Sequence, residues 1–264
     1  MPIKKGYVNT PDGQIHYRFC DGGKGLPLVF FHQTASSSLM YERLMAVLHG
    51  QYRMIALDTP GFGQSDFPPR APTIGSYVTT LLTALQNLGV GEFHAFGHHT
   101  GACIACEMAV TAPTRVRSLT MVGPAYLDEA ERQRWTREYI DPLVIQADGS
   151  HLAKIWKRVQ SLDPNPSPAL CHREAVDNLR AGERYHEAYL AVFSQDFPAL
   201  LAQVRCPILL LCGEHDVLTP YFQPACTARP DAKSLLLPGG TYVVDDYPQE
   251  VAGAVRDFLA GVTV

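Results

Sequence analysis

The sequence predicts an α/β fold with a mostly parallel sheet, helices on both faces of the sheet and an inserted helical cap. Short apolar runs alternate with amphipathic helical patterns along most of the 264 residues. Several of these runs are continuously apolar and end in polar residues, as parallel strands buried on both faces do. Residues 128–190 are instead charged and aromatic with helical spacing and no strand pattern, which predicts the cap.

The chain begins with a predicted antiparallel hairpin. Residues 6–10 and 14–20 are the two strands, and Pro-Asp-Gly at 11–13 lies between them. This is a turn sequence in which the glycine supplies positive φ at no steric cost.

The following elements are predicted from apolar runs, helical spacing and helix terminators such as Gly89 and Pro113. Because strand and helix alternate, most strands should be parallel. The strands are predicted at 26–32, 53–58, 92–97, 116–122, 207–212 and 233–237, and the helices at 74–88, 102–112, 220–228 and 248–259.

The chain length fits one core with an insertion. At roughly 100 to 200 residues per domain, two independent domains would be a tight fit. We assign residues 1–124 and 191–264 to the core and residues 125–190 to the cap. Helix breakers at 163–168, which read Asp-Pro-Asn-Pro-Ser-Pro, divide the cap into two helical parts.

Composition excludes several function classes. The chain has 22 Lys and Arg against 26 Asp and Glu, a net charge of −4, and no basic run, so nucleic acid is not expected as a partner. No apolar run approaches the ~18 residues of a membrane span, and no hydrophobic stretch follows the first lysines. We therefore expect a cytoplasmic protein without membrane contact. Seven scattered cysteines favour reduced thiols over disulfides.

The chemistry is expected at residues 97–101, which read Gly-His-His-Thr-Gly between a predicted strand and a predicted helix. In this context Gly-x-Ser-x-Gly forms a nucleophile elbow. Glycines flank the central residue because that residue is held in a strained turn, where neighbouring side chains would collide. Here the central residue is His99.

Around this elbow the chain resembles the capped, small-molecule branch of the α/β-hydrolase superfamily from end to end. The resemblance implies an eight-stranded sheet and small-molecule chemistry without an organic cofactor. Three further motifs carry it: His-Gln-Thr at 32–34 after the third strand, Asp-Thr-Pro-Gly-Phe-Gly-Gln-Ser at 58–65, and an acid-bearing loop at 213–220 followed by Leu-Pro-Gly-Gly-Thr-Tyr at 237–242.

The sequence departs from the family's Ser-His-Asp triad at two of its three positions. His99 replaces the nucleophile and Tyr242 replaces the catalytic histidine, whereas Asp216 is retained. No histidine follows His215, so a shifted alignment does not restore the missing base. An ordinary acyl-enzyme mechanism is therefore not expected.

We expect His99 to act as a general base instead. An imidazole on the elbow can fill the space of the missing histidine and reach Asp216, which would fix its tautomer. The backbone N–H groups of Gln33 or Thr34 and of Thr100 would then hold a developing oxyanion.

Supporting roles are expected for other residues. His32 would brace the oxyanion loop, and Tyr242 would donate a hydrogen bond to substrate or orient Asp216. His172 and His186, in the cap, are expected to face solvent. A few aromatic side chains of the cap should face the site and favour a compact, apolar or aromatic substrate; the apolar and aromatic stripe comprises Trp135, Tyr139, Ile155, Trp156, Tyr185, Tyr189 and Phe193.

Three other groups of residues could form a different kind of site. His32, His98, His99 and Asp216 could be imagined as metal ligands, but adjacent histidines on a tight turn are expected to point to different sides, so no metal is expected. The Cys-x-x-Cys at 103–106 lies within a helix, where small residues serve packing rather than redox chemistry. The serines at 36–38 are expected to cap a helix, with a displaced serine nucleophile as the alternative.

Three functions remain open at this point. The first is a cofactor-free hydrolase or related lyase acting on a small carbonyl compound. The second is a non-hydrolytic cyclase or lyase of a biosynthetic or catabolic pathway, and the third is a non-catalytic ligand-binding homologue. Dehalogenases of the family need a carboxylate at the elbow, so dehalogenation is not expected of a chain with His99 at that position. Homodimer formation is left open.

Overall fold

A computed structural model describes residues 3–262 of the chain, which form an eight-stranded sheet. The strands are β1 (Lys4–Thr10), β2 (Gly13–Cys20), β3 (Leu28–Phe31), β4 (Met54–Leu57), β5 (Phe93–His98), β6 (Val116–Val122), β7 (Ile208–Gly213) and β8 (Lys233–Leu237). Their order across the sheet is β1-β2-β4-β3-β5-β6-β7-β8. β2 pairs antiparallel with β1 and with β4, and all other pairs are parallel, which confirms the predicted fold class.

Helices flank the sheet and fill the long connection between β6 and β7. They are α1 (Glu42–Val47), α2 (Ile74–Asn87), α3 (Thr100–Thr111), α4 (Glu129–Glu138), α5 (Ser150–Ser161), α6 (Pro168–Ala181), α7 (His186–Ser194), α8 (Phe197–Leu201), α9 (Thr219–Ala228), α10 (Val243–Asp246) and α11 (Pro248–Leu259). Among the described residues, no helix is long and apolar enough to cross a bilayer.

The central strands are buried on both faces, as their continuous apolar sequences predict. In β3, Val29 and Phe31 pack in one apolar cluster with side chains of α2 and α3, whereas Leu28 and Phe30 pack in a second cluster with side chains of α1 and α11. Successive side chains of a strand point to opposite faces, so a four-residue apolar strand supplies both layers of the core. The site-bearing loops therefore start from a rigid sheet.

The connection from β6 to β7 is helical, and its helices pack in pairs, α4 with α7 and α5 with α6. α6 begins as the breaker run predicts, because the Ser167 side chain accepts the Leu170 N–H and Pro168 occupies the first turn. The predicted cap boundary at residue 190 falls inside α7 (His186–Ser194). The division into core and cap remains a prediction.

Candidate active site

The turn between β5 and α3 has the strained geometry that its two glycines predict. His99 has φ 48° and ψ −108°, and it is the one non-glycine residue between positions 3 and 262 with positive φ. A Cβ on Gly97 would lie 2.1 Å from the Gly101 carbonyl oxygen, and a Cβ on Gly101 would lie 1.8 Å from the Phe31 oxygen. No larger residue fits at either position, so the backbone presents residue 99 above the end of β5.

The His99 ring is hydrogen-bonded to Asp216. His99 Nε2 lies 2.8 Å from Oδ2 and 3.0 Å from Oδ1 of that carboxylate. Asp216 follows β7, is 4% exposed, and accepts the Leu218 N–H at 2.8 Å through Oδ1. The carboxylate is thus held by the backbone of its own loop, and the tautomer with the proton on Nε2 leaves Nδ1 of the neutral ring as the basic nitrogen.

Electrostatics keeps the Asp216 carboxylate ionised. Burial opposes ionisation, but attraction to His99, the hydrogen bond from its ring and the Leu218 N–H together hold the pKa of Asp216 below its ordinary value. An ionised carboxylate orients an imidazole and stabilises the imidazolium that forms when Nδ1 takes a proton. The pair therefore has the arrangement of an oriented base.

Gly123 makes room for this arrangement. It follows β6 with φ +57°, and a Cβ there would lie 2.3 Å from His99 Cδ2 and 3.2 Å from Asp216 Oδ2. The sequence does not show this role, because the contact joins two separate connections of the sheet.

His98 is packed against the site without a hydrogen-bond partner. It is fully buried, and neither ring nitrogen has a partner among residues 3–262. Burial holds the pKa of His98 well below its usual value, so the ring is neutral. Its centroid lies 4.5 Å from that of His99 in a T-shaped contact, so it packs against the His99 ring.

These histidines and Asp216 are the residues that could hold a cation. His98, His99 and Asp216 each offer one ligand atom, and the three atoms lie within 4.8 Å of one another. The argument that adjacent histidines point to different sides is therefore wrong. His32 lies outside this group. An ion would have to replace the hydrogen bond between His99 and Asp216.

The loop after β3 is braced by His32, as expected. Its Nδ1 donates to the Gln33 carbonyl at 2.7 Å and its Nε2 accepts the Thr59 N–H at 2.9 Å. Burial lowers the pKa of His32, which fits a neutral ring with one donor and one acceptor. Gln33 and Thr34 are buried beside it, and Thr100 begins α3, where first-turn N–H groups have no intrahelical acceptor. Their role toward an oxyanion remains a prediction.

Tyr242 does not orient Asp216. Its side chain is buried, and its hydroxyl donates to the Val159 carbonyl at 3.3 Å, on α5. Nor is it among the side chains that line the cavity beside His99. The tyrosine fills the position of the missing histidine in sequence, but its hydroxyl reaches the carbonyl of Val159 on α5.

The other polar candidates have structural partners. The Ser36 hydroxyl donates to Glu174 at 3.0 Å and the Ser37 hydroxyl to Asp177 at 2.7 Å, while Ser38 Oγ accepts from Arg18 at 2.7 Å. All seven cysteines are free, and burial raises the pKa of both thiols of the 103–106 motif. His172 is exposed, and His186 Nδ1 donates to a nearby carbonyl. None of these groups is positioned as a nucleophile.

A small apolar cavity of about 40 Å³ adjoins His99 and Thr100. Trp135 of α4 and Tyr189 of α7 form part of its wall, and the remaining lining side chains are Ala125, Leu127, Tyr139, Val192, Phe193, Val217 and Leu218. This volume accommodates a few water-sized groups. No side chain of α4 is buried, whereas α7 buries several, so α4 is the less firmly packed of these two walls. A wider surface hollow lined by Pro68 and Tyr77 does not include His99.

Comparison with known proteins agrees with this architecture. The chain is 25% identical to a fluoroacetate dehalogenase of a Burkholderia species, over 94% of this chain and 91% of that protein. It is 26% identical to 2-(acetamidomethylene)succinate hydrolase of Mesorhizobium japonicum, over 94% and 92% of the two chains. The enol-lactonase of Burkholderia xenovorans superposes with a TM-score of 0.81 at 18% identity, over 97% of this chain and 100% of that one.

The family model for the α/β hydrolase fold matches residues 27–247, which include the elbow and the loop of Asp216. Because this match covers most of the 264 residues, the chain belongs to the α/β hydrolase fold family.

Proposed function

We propose that this protein is a small-molecule hydrolase in which His99, oriented by Asp216, acts as general base toward water. One observation carries the proposal: the imidazole occupies the elbow itself, with Nε2 2.8 Å from a buried carboxylate, and adjoins the apolar cavity. The relatives named for hydrolysis of an enol-lactone and of 2-(acetamidomethylene)succinate support a hydrolytic reaction.

The proposed chemistry needs no covalent intermediate. Nδ1 of His99 takes a proton from water while the hydroxide equivalent adds to the substrate carbonyl, which forms a tetrahedral oxyanion and an imidazolium paired with Asp216. N–H groups of the loop after β3 and of Thr100 stabilise the oxyanion. Collapse of this intermediate expels the leaving group, which receives the proton from the imidazolium.

The direct test measures hydrolysis of 4-nitrophenyl esters with acyl chains of two to six carbons by His99→Gln and Asp216→Asn. Loss of a general base typically costs about 10²- to 10⁴-fold in rate, so both variants should fall by this order. His94→Gln is the matched control, because His94 is a buried histidine on β5, the strand that leads into the elbow, and its Nδ1 contacts Ser118 instead. Full turnover by both site variants would refute the proposal.

Two further measurements separate this mechanism from its alternatives. A serine-directed fluorophosphonate should leave the protein unlabelled, since the hydroxyls at 36–38 are buried and hydrogen-bonded and none is paired with a histidine. EDTA should leave turnover unchanged, because the base is activated by Asp216 rather than by a cation. Labelling at residues 36–38 would favour a displaced nucleophile, and loss of activity in EDTA would favour metal binding at His98, His99 and Asp216.

A further inference from the structure

Arg158 is enclosed by tyrosine rings on the inner side of α5. Its guanidinium carbon lies 4.9 Å from the ring centroid of Tyr139, 5.6 Å from that of Tyr189 and 5.7 Å from that of Tyr185. Cation–π contacts of this kind hold the cation in place, and the Tyr189 side chain also forms a hydrogen bond with the guanidinium. The ring faces themselves supply no acceptor for the other N–H groups.

Among the described residues, no carboxylate is paired with the positive charge of Arg158. Nη2 is shielded from solvent and has no hydrogen-bond partner among residues 3–262, and no ion pair in that part of the chain includes Arg158. Arg173, on the next helix, is by contrast paired with both Glu174 and Asp245. A buried cationic N–H group without an acceptor is costly, and a bound ligand is one way in which the missing acceptor is supplied.

The neighbours of Arg158 are also neighbours of the base. Tyr139 and Tyr189 line the cavity that His99 adjoins. The Tyr189 hydroxyl donates to the Thr34 carbonyl at 2.8 Å, in the loop expected to bind the oxyanion. Arg158 is therefore one side chain removed from the reaction site, behind rings that must shift when a substrate enters.

We propose that Arg158 anchors a carboxylate group of the substrate, so that the protein acts on small carbonyl compounds that also carry a carboxylate. The inference rests on the proposed hydrolytic function and names the substrate class of the same site. A guanidinium forms two parallel N–H···O bonds with a carboxylate, which fixes orientation as well as charge. Apart from His99 and Thr100, the side chains that line the cavity are apolar or aromatic. A fixed positive charge at Arg158, behind Tyr139 and Tyr189, would therefore favour an anion over a neutral ligand.

The experiment compares binding of phenylacetate with that of its neutral isostere phenylacetamide, measured by calorimetry and by the fluorescence of Trp135, which lines the cavity. The wild-type protein should bind phenylacetate at least ~10-fold more tightly, as expected for a charge-assisted bidentate pair. Arg158→Gln should reduce this ratio to about one, and Arg158→Lys should give an intermediate ratio because a lysine keeps the charge without the planar fork.

Arg184→Gln is the matched control. Arg184 also stacks on an aromatic ring, with its guanidinium carbon 5.7 Å from the Phe67 centroid, but it is ion-paired with Glu187, and Phe67 does not line the cavity. This variant should keep the wild-type ratio. Equal binding of the two probes by the wild-type protein, or an unchanged ratio in Arg158→Gln or Arg158→Lys, would show that Arg158 only packs the helices together.

The same probes distinguish this inference from the proposed function. Binding needs no turnover, so His99→Gln should keep the preference for phenylacetate while losing hydrolysis. If Arg158 variants still prefer phenylacetate but His99 variants lose hydrolysis, the general-base proposal is supported and the carboxylate-anchor proposal is wrong. If His99 variants stay active while Arg158→Gln loses the preference, the anchor stands and the base is wrong. Unfolding of Arg158→Gln would leave the lysine variant to decide.

Discussion

Gly123 lies against the His99 ring so closely that no side chain fits between them. A Cβ at position 123 would lie 2.3 Å from His99 Cδ2 and 2.5 Å from Nε2, the atom that contacts Asp216. Real Cβ atoms essentially never approach other heavy atoms below 3.0 Å. The proposed base therefore depends on a glycine from a different connection of the sheet.

We predict that Gly123→Ala separates His99 from Asp216 and lowers ester hydrolysis by at least ~10-fold, because the imidazole must rotate away and a mispositioned catalytic group loses rate steeply. The measurement is kcat/KM on the 4-nitrophenyl esters. Gly89→Ala is the control, since Gly89 also has positive φ, +71°, but no atom lies within 4 Å of its added Cβ. Equal losses in the two variants would mean that backbone strain alone explains the effect.

Local sequence patterns predicted the bounds of those helices and strands whose ends are marked by residues nearby in the sequence. β6 (Val116–Val122), β8 (Lys233–Leu237) and α11 (Pro248–Leu259) have the predicted bounds, because apolar runs, prolines and glycines mark their ends. α3 begins two residues earlier than the predicted 102, since the tight elbow leads directly into helix at Thr100.

Contacts between distant segments were not predictable in the same way. The clearance at Gly123 and the hydrogen bond from Tyr242 to Val159 each join residues from separate connections of the sheet. The unpaired Arg158 contacts rings of other helices. No periodicity in the sequence records which of these side chains meet. The contact between His99 and Asp216 could be predicted, because the order of the motifs along the chain in this family determines which loops lie next to each other.

Asp58 should make the fold sensitive to acid. Its carboxylate accepts from His16 Nδ1 at 2.8 Å, from the Ser38 N–H at 2.7 Å and from the Gln64 N–H at 2.8 Å. Burial opposes ionisation, but these hydrogen bonds and the attraction to His32 lower the pKa of Asp58 to about 2. A depressed pKa stabilises the native state fully above the unfolded-state value near 4, and this stabilisation is lost as the pH falls toward 2.

We predict that Asp58→Asn lowers the free energy of unfolding by about 2 kcal/mol at pH 7 and by much less at pH 2, from a shift of roughly two pKa units. Urea unfolding at the two pH values measures the difference. Asp66→Asn serves as a control for a neighbouring carboxylate that is exposed in part and accepts one backbone N–H, from Gln14. If Asp58→Asn lowers the free energy of unfolding equally at both pH values, the lowered pKa of Asp58 does not stabilise the fold.

Tyr242→Phe should leave catalysis intact. The hydroxyl donates to the Val159 carbonyl rather than to Asp216, so its removal should change kcat/KM on the nitrophenyl esters less than about threefold. The lost hydrogen bond should cost about 1 kcal/mol of unfolding free energy. A large fall in kcat with unchanged stability would instead restore Tyr242 as a donor to substrate.

The buried carboxyl of Glu174 should also make the free energy of unfolding depend on pH, with a sign opposite to that of Asp58. Glu174 lies on α6 and accepts from the Ser36 hydroxyl of the loop after β3, so it ties that helix to the core. Burial raises the pKa of Glu174 to about 7, with Arg173 opposing the rise and Asp177 and Asp245 adding to it. Between the unfolded-state value near 4.5 and 7 the native state therefore holds the extra proton.

A group with a raised carboxyl pKa stabilises the fold fully below its unfolded-state value, and this contribution declines as the pH rises through the folded-state value. We predict that the wild-type protein loses about 3 kcal/mol of unfolding free energy between pH 4.5 and 7.5 through this group. Glu174→Gln, which cannot titrate, should lack that part of the slope. Urea unfolding across the range measures it, with the exposed Glu92→Gln as the control. Parallel slopes for wild type and Glu174→Gln would show that the carboxyl is ionised throughout, held by Arg173 alone.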